Sequence, residues 1–85
     1  MSDEIRDFAM PRLGMAMTEG TISGWRRRVG ERIVAGETLL TVENNKTEID
    51  VESPWSGVVI DLLAGDGDTV PVMKPIARIL IDAPL

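Results

Sequence analysis

The feature that most constrains this chain is that it repeats itself. Gly20 and Gly57, and Gly30 and Gly67, stand at one common separation of 37 residues. At the same separation Ile22 meets Val59, Trp25 meets Leu62, Glu31 meets Asp68, Ile33 meets Val70, Leu39 meets Ile76 and Val42 meets Ile79. Glycines and apolar residues that recur together without a gap mark one supersecondary unit used twice, and neither copy can cover its apolar face alone. The unit is built of strands. In Thr47-Glu48-Ile49-Asp50-Val51-Glu52-Ser53, Ile49 and Val51 face one way while Glu48, Asp50 and Glu52 face the other. That period of two is the mark of a half-buried strand.

Further strands are predicted over Arg6 to Met10, Thr21 to Arg26, Glu37 to Glu43, Gly57 to Leu62 and Pro75 to Ile81. Turn signals separate them at Val29-Gly30-Glu31, Ala35-Gly36-Glu37 and Ala64-Gly65-Asp66-Gly67-Asp68. Short strands at this spacing predict an all-β antiparallel sandwich or barrel. A pseudo-twofold axis relating the copies would put the Asn44 to Lys46 turn at one pole. The equivalent position, Ile81 to Ala83, falls at the other with the termini.

Residue types then limit the chemistry. The chain has 85 residues and no cysteine, histidine or tyrosine. Disulfides, thiolate or imidazole metal sites and Ser-His or Cys-His nucleophile pairs are therefore excluded. An enzyme in its own right is the weakest reading, and no metal is expected. Nine basic against fourteen acidic side chains give a formal charge of −5, which argues against nucleic acid, a partner that rewards a basic surface. No apolar run approaches the ~18 to 20 residues that cross a bilayer, so no membrane partner is expected. The acidic start, Met1 to Asp7, is unlike a signal or transit peptide. We therefore expect a cytoplasmic chain, or a mitochondrial matrix one if a transit peptide has been trimmed. The expected organisation is one monomeric domain over 1–85, with its core at about 7–81 and residues 82–85 as the start of a linker.

One turn stands out. Asn44-Asn45-Lys46 separates Thr38-Leu39-Leu40-Thr41-Val42 from the alternating strand. A two-residue turn centred on Asn45-Lys46 pairs Val42 with Ile49 and Leu40 with Val51, which places the apolar partners on one face. Lys46 then sits at the tip of a hairpin. Among the basic residues seven are arginine and only two, Lys46 and Lys74, are lysine. A primary amine can be acylated to a stable amide, with loss of its charge. By pattern alone, a lysine in a polar turn reads as a solubilising surface residue.

Resemblance changes that reading. Met10-Pro11-Arg12-Leu13-Gly14-Met15-Ala16-Met17-Thr18-Glu19-Gly20 resembles the opening of lipoyl domains from 2-oxo acid dehydrogenase acyltransferases. Glu43-Asn44-Asn45-Lys46-Thr47, followed by Val51-Glu52-Ser53-Pro54 and Ser56-Gly57, resembles the lipoylation hairpin of that family. The resemblance implies a flattened barrel of two four-stranded antiparallel sheets with quasi-twofold symmetry. It implies lipoic acid in amide linkage on Lys46, with Glu43, Asn44, Asn45 and Thr47 as the recognition hairpin. It also implies four partners: a lipoate ligase or lipoyl transferase, a thiamin-diphosphate-dependent decarboxylase, an acyltransferase core and dihydrolipoamide dehydrogenase. The chain departs from the family at Asn45, where aspartate is common, and at Asn44, where threonine or a similar residue is usual. Biotin carriers share the fold but flank their lysine with methionine on both sides. Asn45 and Thr47 do not match that pattern, which leaves biotin as the alternative cofactor. An unmodified β-barrel interaction domain is the other alternative.

Other motifs carry less. Arg26-Arg27-Arg28 reads as a solvated charge run. Met10, Met15 and Met17 read as flexible core packing, and Trp25 as packed. Trp55, just after Pro54, is open between a partner contact and a ring lying against aliphatic neighbours. Glu43, Glu48 and Glu52 read as solvated carboxylates, because no third group supports acid–base work.

Overall fold

The structure, a computed structural model, describes residues 4–82. Of the linker expected at 82–85, residues 83–85 lie outside the described residues. Eight strands follow one another: β1 (Glu4–Ala9), β2 (Glu19–Trp25), β3 (Arg32–Ile33), β4 (Thr38–Asn44), β5 (Thr47–Glu52), β6 (Gly57–Leu62), β7 (Thr69–Pro71) and β8 (Pro75–Ile81). They form two four-stranded antiparallel sheets, ordered β1-β8-β6-β3 and β5-β4-β2-β7. The fold is all-β, the flattened barrel expected from the sequence. Among the described residues no helix is long and apolar enough to cross a membrane.

The repeat seen in the sequence is present in the hydrogen-bond register. β2 pairs with β4 through Ile22–Val42, Gly24–Thr41 and Trp25–Leu40. β6 pairs with β8 through Val59–Ile79, Asp61–Arg78 and Leu62–Ala77, the same pairs 37 residues on. Each ladder carries its irregularity at the same step, after Ile22 and after Val59. The crossing bonds repeat as well. The Ile22 N–H donates to Asp68 O at 2.9 Å, and the Val59 N–H donates to Glu31 O at 2.9 Å. Gly30 and Gly67 take φ of 94° and 89° in the two equivalent turns, a region that only glycine enters without steric cost.

β5 and β1 complete the symmetry from outside the 37-residue unit. β5 pairs with β4 from Thr38–Glu52 to Asn44–Thr47, and β1 pairs with β8 from Ala9–Pro75 to Glu4–Ile81. The axis therefore carries the Asn44–Thr47 pair onto Ile81–Glu4. The lysine turn and the ends of the described chain hold equivalent places in opposite sheets.

The core lies between the sheets, with Met10, Ile22, Ile33, Leu39, Leu40, Val42, Val59, Ile76 and Ile79 fully buried. Trp25 packs against it and donates its Nε1–H to Ala64 O at 2.9 Å. Trp55 is half-buried, its ring at 88° to that of Phe8 with centroids 6.3 Å apart. It lies against the core, which answers the question the sequence left open.

One expectation is corrected. Met10 and Met17 are core residues, but Met15 is 98% exposed. The space is already filled: a Cβ placed on Gly20 would come within 2.8 Å of Met17 Cε and 3.0 Å of Met10 Sδ. Met15 sits instead inside the turn that the Met17 N–H closes on Gly14 O at 3.1 Å, and that turn points it outward.

Candidate functional site

The β4–β5 hairpin has the register the sequence implied, with Val42 opposite Ile49 and Leu40 opposite Val51. Asn44 and Thr47 form the last pair, so the turn consists of Asn45 and Lys46 alone. Both have positive φ, 52° and 64°. Two such residues in succession define the type I′ turn, whose twist matches that of the flanking strands. Asparagine is the non-glycine residue that tolerates this region best. Lysine has no such aptitude. Glycine is favoured where Lys46 stands, and a side chain there costs on the order of 1 kcal/mol. A strained residue at an exposed tip points to a use for its side chain.

That side chain is accessible. Lys46 is exposed, with Asn45 and Thr47 exposed beside it and Asn44 and Glu43 half-buried beneath. Among the described residues, Lys46 enters no ion pair or side-chain hydrogen bond. A carboxylic acid cofactor in amide linkage requires an unencumbered primary amine, and Lys46 supplies one; the site fits lipoic acid or biotin equally. Lys74, the other lysine, is exposed but tightly framed. The Met10 N–H donates to Lys74 O at 2.9 Å, and the Met73 N–H donates to Met10 O at 2.9 Å. Its turn is the structural counterpart of that at Ala35-Gly36-Glu37, with Met73 and Gly36 both at positive φ.

The hairpin has a neighbour that linear reading does not reveal. The loop between β1 and β2 comes up beside it, leaving a recess of about 300 Å³ walled by residues 16–21 and 43–45. Glu19 and Glu43 lie in its wall. Only the pairing of β2 with β4, Thr21 opposite Glu43, brings these segments together. A second, more open recess lies among Arg26, Arg27, Glu31 and Arg32. Its charges are largely matched: Arg27 pairs with Glu37 at 3.2 Å and Arg32 pairs with Asp82. A hydrogen bond and the charge of Asp82 raise the Arg32 pKa above its ordinary value. The Arg26 guanidinium donates to Thr41 Oγ1 at 3.0 Å. Within the run Arg26 and Arg28 are exposed, as expected of a solvated charge run, and Arg27 is half-buried and ion-paired. Among the described residues no group of acidic or histidine side chains could hold a metal ion.

Comparison with known proteins agrees with this geometry. The dihydrolipoyllysine-residue acetyltransferase component of the pyruvate dehydrogenase complex of Corynebacterium glutamicum is 42% identical over 86% of this chain. The dihydrolipoyllysine-residue succinyltransferase component of the 2-oxoglutarate dehydrogenase complex of Staphylococcus saprophyticus is 41% identical over 84% of it. The chain spans only 11% and 17% of those relatives. The solution structure of the lipoyl domain of the Azotobacter vinelandii 2-oxoglutarate dehydrogenase complex matches with a TM-score of 0.71. That match has 23% identity and covers 86% of this chain and 92% of that one, and it shows the fold. The family model described as "Biotin-requiring enzyme" covers residues 6–79, and the chain belongs to this biotin/lipoyl family.

Proposed function

We propose that this domain is a lipoyl carrier, with lipoic acid in amide linkage on Lys46. The observation that carries the proposal is the strained, exposed Lys46 at a two-residue turn gripped by two paired strands. The relatives named as dihydrolipoyllysine-residue acyltransferase components support lipoate over biotin, as does the absence of methionine on either side of Lys46. Bound lipoate supplies a dithiolane able to carry acyl groups and electrons, chemistry the side chains here cannot provide. The domain supplies position: tethering raises the local concentration of the carried group at each successive partner. In this reading Glu43, Asn44, Asn45 and Thr47 form the surface read by a lipoate ligase or lipoyl transferase. A thiamin-diphosphate-dependent decarboxylase, an acyltransferase core and dihydrolipoamide dehydrogenase are the later partners. The domain acts as a monomer, in the cytoplasm or a mitochondrial matrix.

The test is intact mass after incubation with lipoate ligase, lipoate and ATP. Wild type and Lys74→Arg should gain one lipoyl group, and Lys46→Arg none, with unchanged circular dichroism. A lipoyl group mapped to Lys74 would move the site. A biotin adduct formed by biotin ligase in place of lipoyl would select the alternative cofactor, and no adduct from either enzyme would leave an unmodified interaction domain.

A further inference from the structure

β5 is the weaker arm of the turn that carries Lys46. It lies at the edge of its sheet, with β4 as its neighbour there. Near the tip it buries little: Ile49 is half-buried, and Val51, further down, is buried. Its outward face carries Glu48, Asp50 and Glu52 in succession, and none of the three is in an ion pair among the described residues. Like charges side by side on an edge strand favour fraying. The cation linked to this row comes from two strands away. Arg26 follows β2, where its backbone N–H is fixed to Leu39 O at 2.8 Å. Its guanidinium donates to Thr41 Oγ1 at 3.0 Å, and the Thr41 hydroxyl donates to Asp50 Oδ1 at 3.0 Å. That direction is forced, because a guanidinium only donates and an ionised carboxylate only accepts. Thr41 stands directly opposite Asp50 and is only 5% exposed, so the middle of the relay is shielded from water.

The other sheet solves the same problem without a relay. There the equivalents of Thr41 and Asp50 are Arg78 and Asp7, and Arg78 Nε lies 3.4 Å from Asp7 Oδ1. The place of Arg26 is taken by Leu63, an exposed leucine that can make no such link. The barrel as such therefore does not call for an arginine at this position; the lysine hairpin does. We propose that Arg26 is a positioning residue for Lys46, acting through the Thr41 hydroxyl on Asp50 to hold β5 against β4. The inference rests on the reading of Lys46 as the attachment site and names what keeps that site in shape. Positive φ at both Asn45 and Lys46 strains the turn, so its tip is poised between a closed form that presents the lysine and a frayed one. An enzyme that binds only the closed form has its apparent affinity reduced by the closed fraction. The relay raises that fraction without touching the lysine.

Hydrogen exchange and lipoylation kinetics test this together. The alternation of the ladder points the amides of Thr47 and Ile49 at β4, so their exchange reports how often β5 opens. Arg26→Gln removes the cation at an exposed position, where such links are modest, and should quicken exchange of these two amides roughly two- to fivefold. Amides of β6 and β8 should exchange as in wild type. KM of lipoate ligase for the domain should rise at least about twofold at unchanged kcat. Thr41→Val should reproduce both effects, and Thr41→Ser, which keeps the hydroxyl, should restore them to wild-type values. Arg26→Gln and Thr41→Val combined should do no more than either alone, because each breaks the same relay. Arg78→Gln, the equivalent change in the other sheet, should loosen β1 and leave Thr47, Ile49 and KM unaltered. Wild-type exchange at Thr47 and Ile49 in Arg26→Gln, an acceleration shared by β6 and β8, or faster exchange at unchanged KM would overturn the proposal. A wild-type domain that gains no lipoyl group overturns the reading of Lys46 itself, and the proposal falls with it.

Discussion

Gly36 and Met73 occupy the same place in the two halves of the molecule, with φ of 93° and 73°. Glycine takes this conformation freely, whereas a methionine pays about 1–2 kcal/mol for it. Glycine's greater freedom in the unfolded chain returns part of that. Met73→Gly is therefore expected to stabilise the domain by roughly 0.5–1 kcal/mol, read as a higher urea midpoint at unchanged m-value. Lys46→Gly should stabilise by a similar amount while removing the acylatable amine, so stability and use are opposed at the turn. A second pair of equivalent residues divides the other way. A Cβ on Gly20 would meet only side-chain atoms of Met17, Val42 and Met10, but one on Gly57 would lie 2.1 Å from Leu80 O. Side chains yield and a paired strand does not. Gly20→Ala should cost about 1–3 kcal/mol, and Gly57→Ala more, enough to lower the thermal midpoint well beyond that of Gly20→Ala.

At the scale of elements, what could be read in advance depended on length. β4 and β5 were legible because the alternation of β5, the apolar run of β4 and a two-residue turn between them allow one good register, and Lys46 followed from it. β3 and β7 have two and three residues, too few for a period to show. They exist because the strands they flank, β6 and β2, offer unpaired edges. The recess was illegible for a related reason: residues 16–19 and 43–45 meet only through the β2–β4 ladder, and no local pattern announces a ladder. Met15 misled because composition shows that a methionine suits a core but not whether the place is taken. The β4–β5 ladder also makes its own prediction. Glu43 opposite Glu48 is a like-charge pair, so Glu48→Lys should add about 0.2–1 kcal/mol. The gain should shrink between low salt and 1 M salt, because exposed charges are screened over a few ångströms there. A gain that is independent of salt would assign it to packing instead of charge.

For the molecule as a whole, the register has a consequence for where the chain can be cut. The axis exchanges the Asn44–Thr47 and Ile81–Glu4 pairs, so an open end and a closed hairpin hold equivalent places. Joining Ile81 to Glu4 through Asn-Gly would close a type I′ turn of the kind such a two-residue gap favours. Opening the chain between Asn45 and Lys46 then turns β8–β1 into the local hairpin and β4–β5 into the long-range pair. Because the two sheets trade roles, the mean sequence separation of contacts hardly changes, and folding rate follows that quantity. The permutant is expected to fold as the same barrel, with a refolding rate within about tenfold of the parent and the amide shifts of β2, β3, β6 and β7 preserved. It should nevertheless accept no lipoyl group, because Lys46 would stand at a free end with no strand-held turn to present it. A permutant that folds and is still lipoylated at the parental rate would show that the ligase reads the residues around Lys46 and not the geometry of the hairpin.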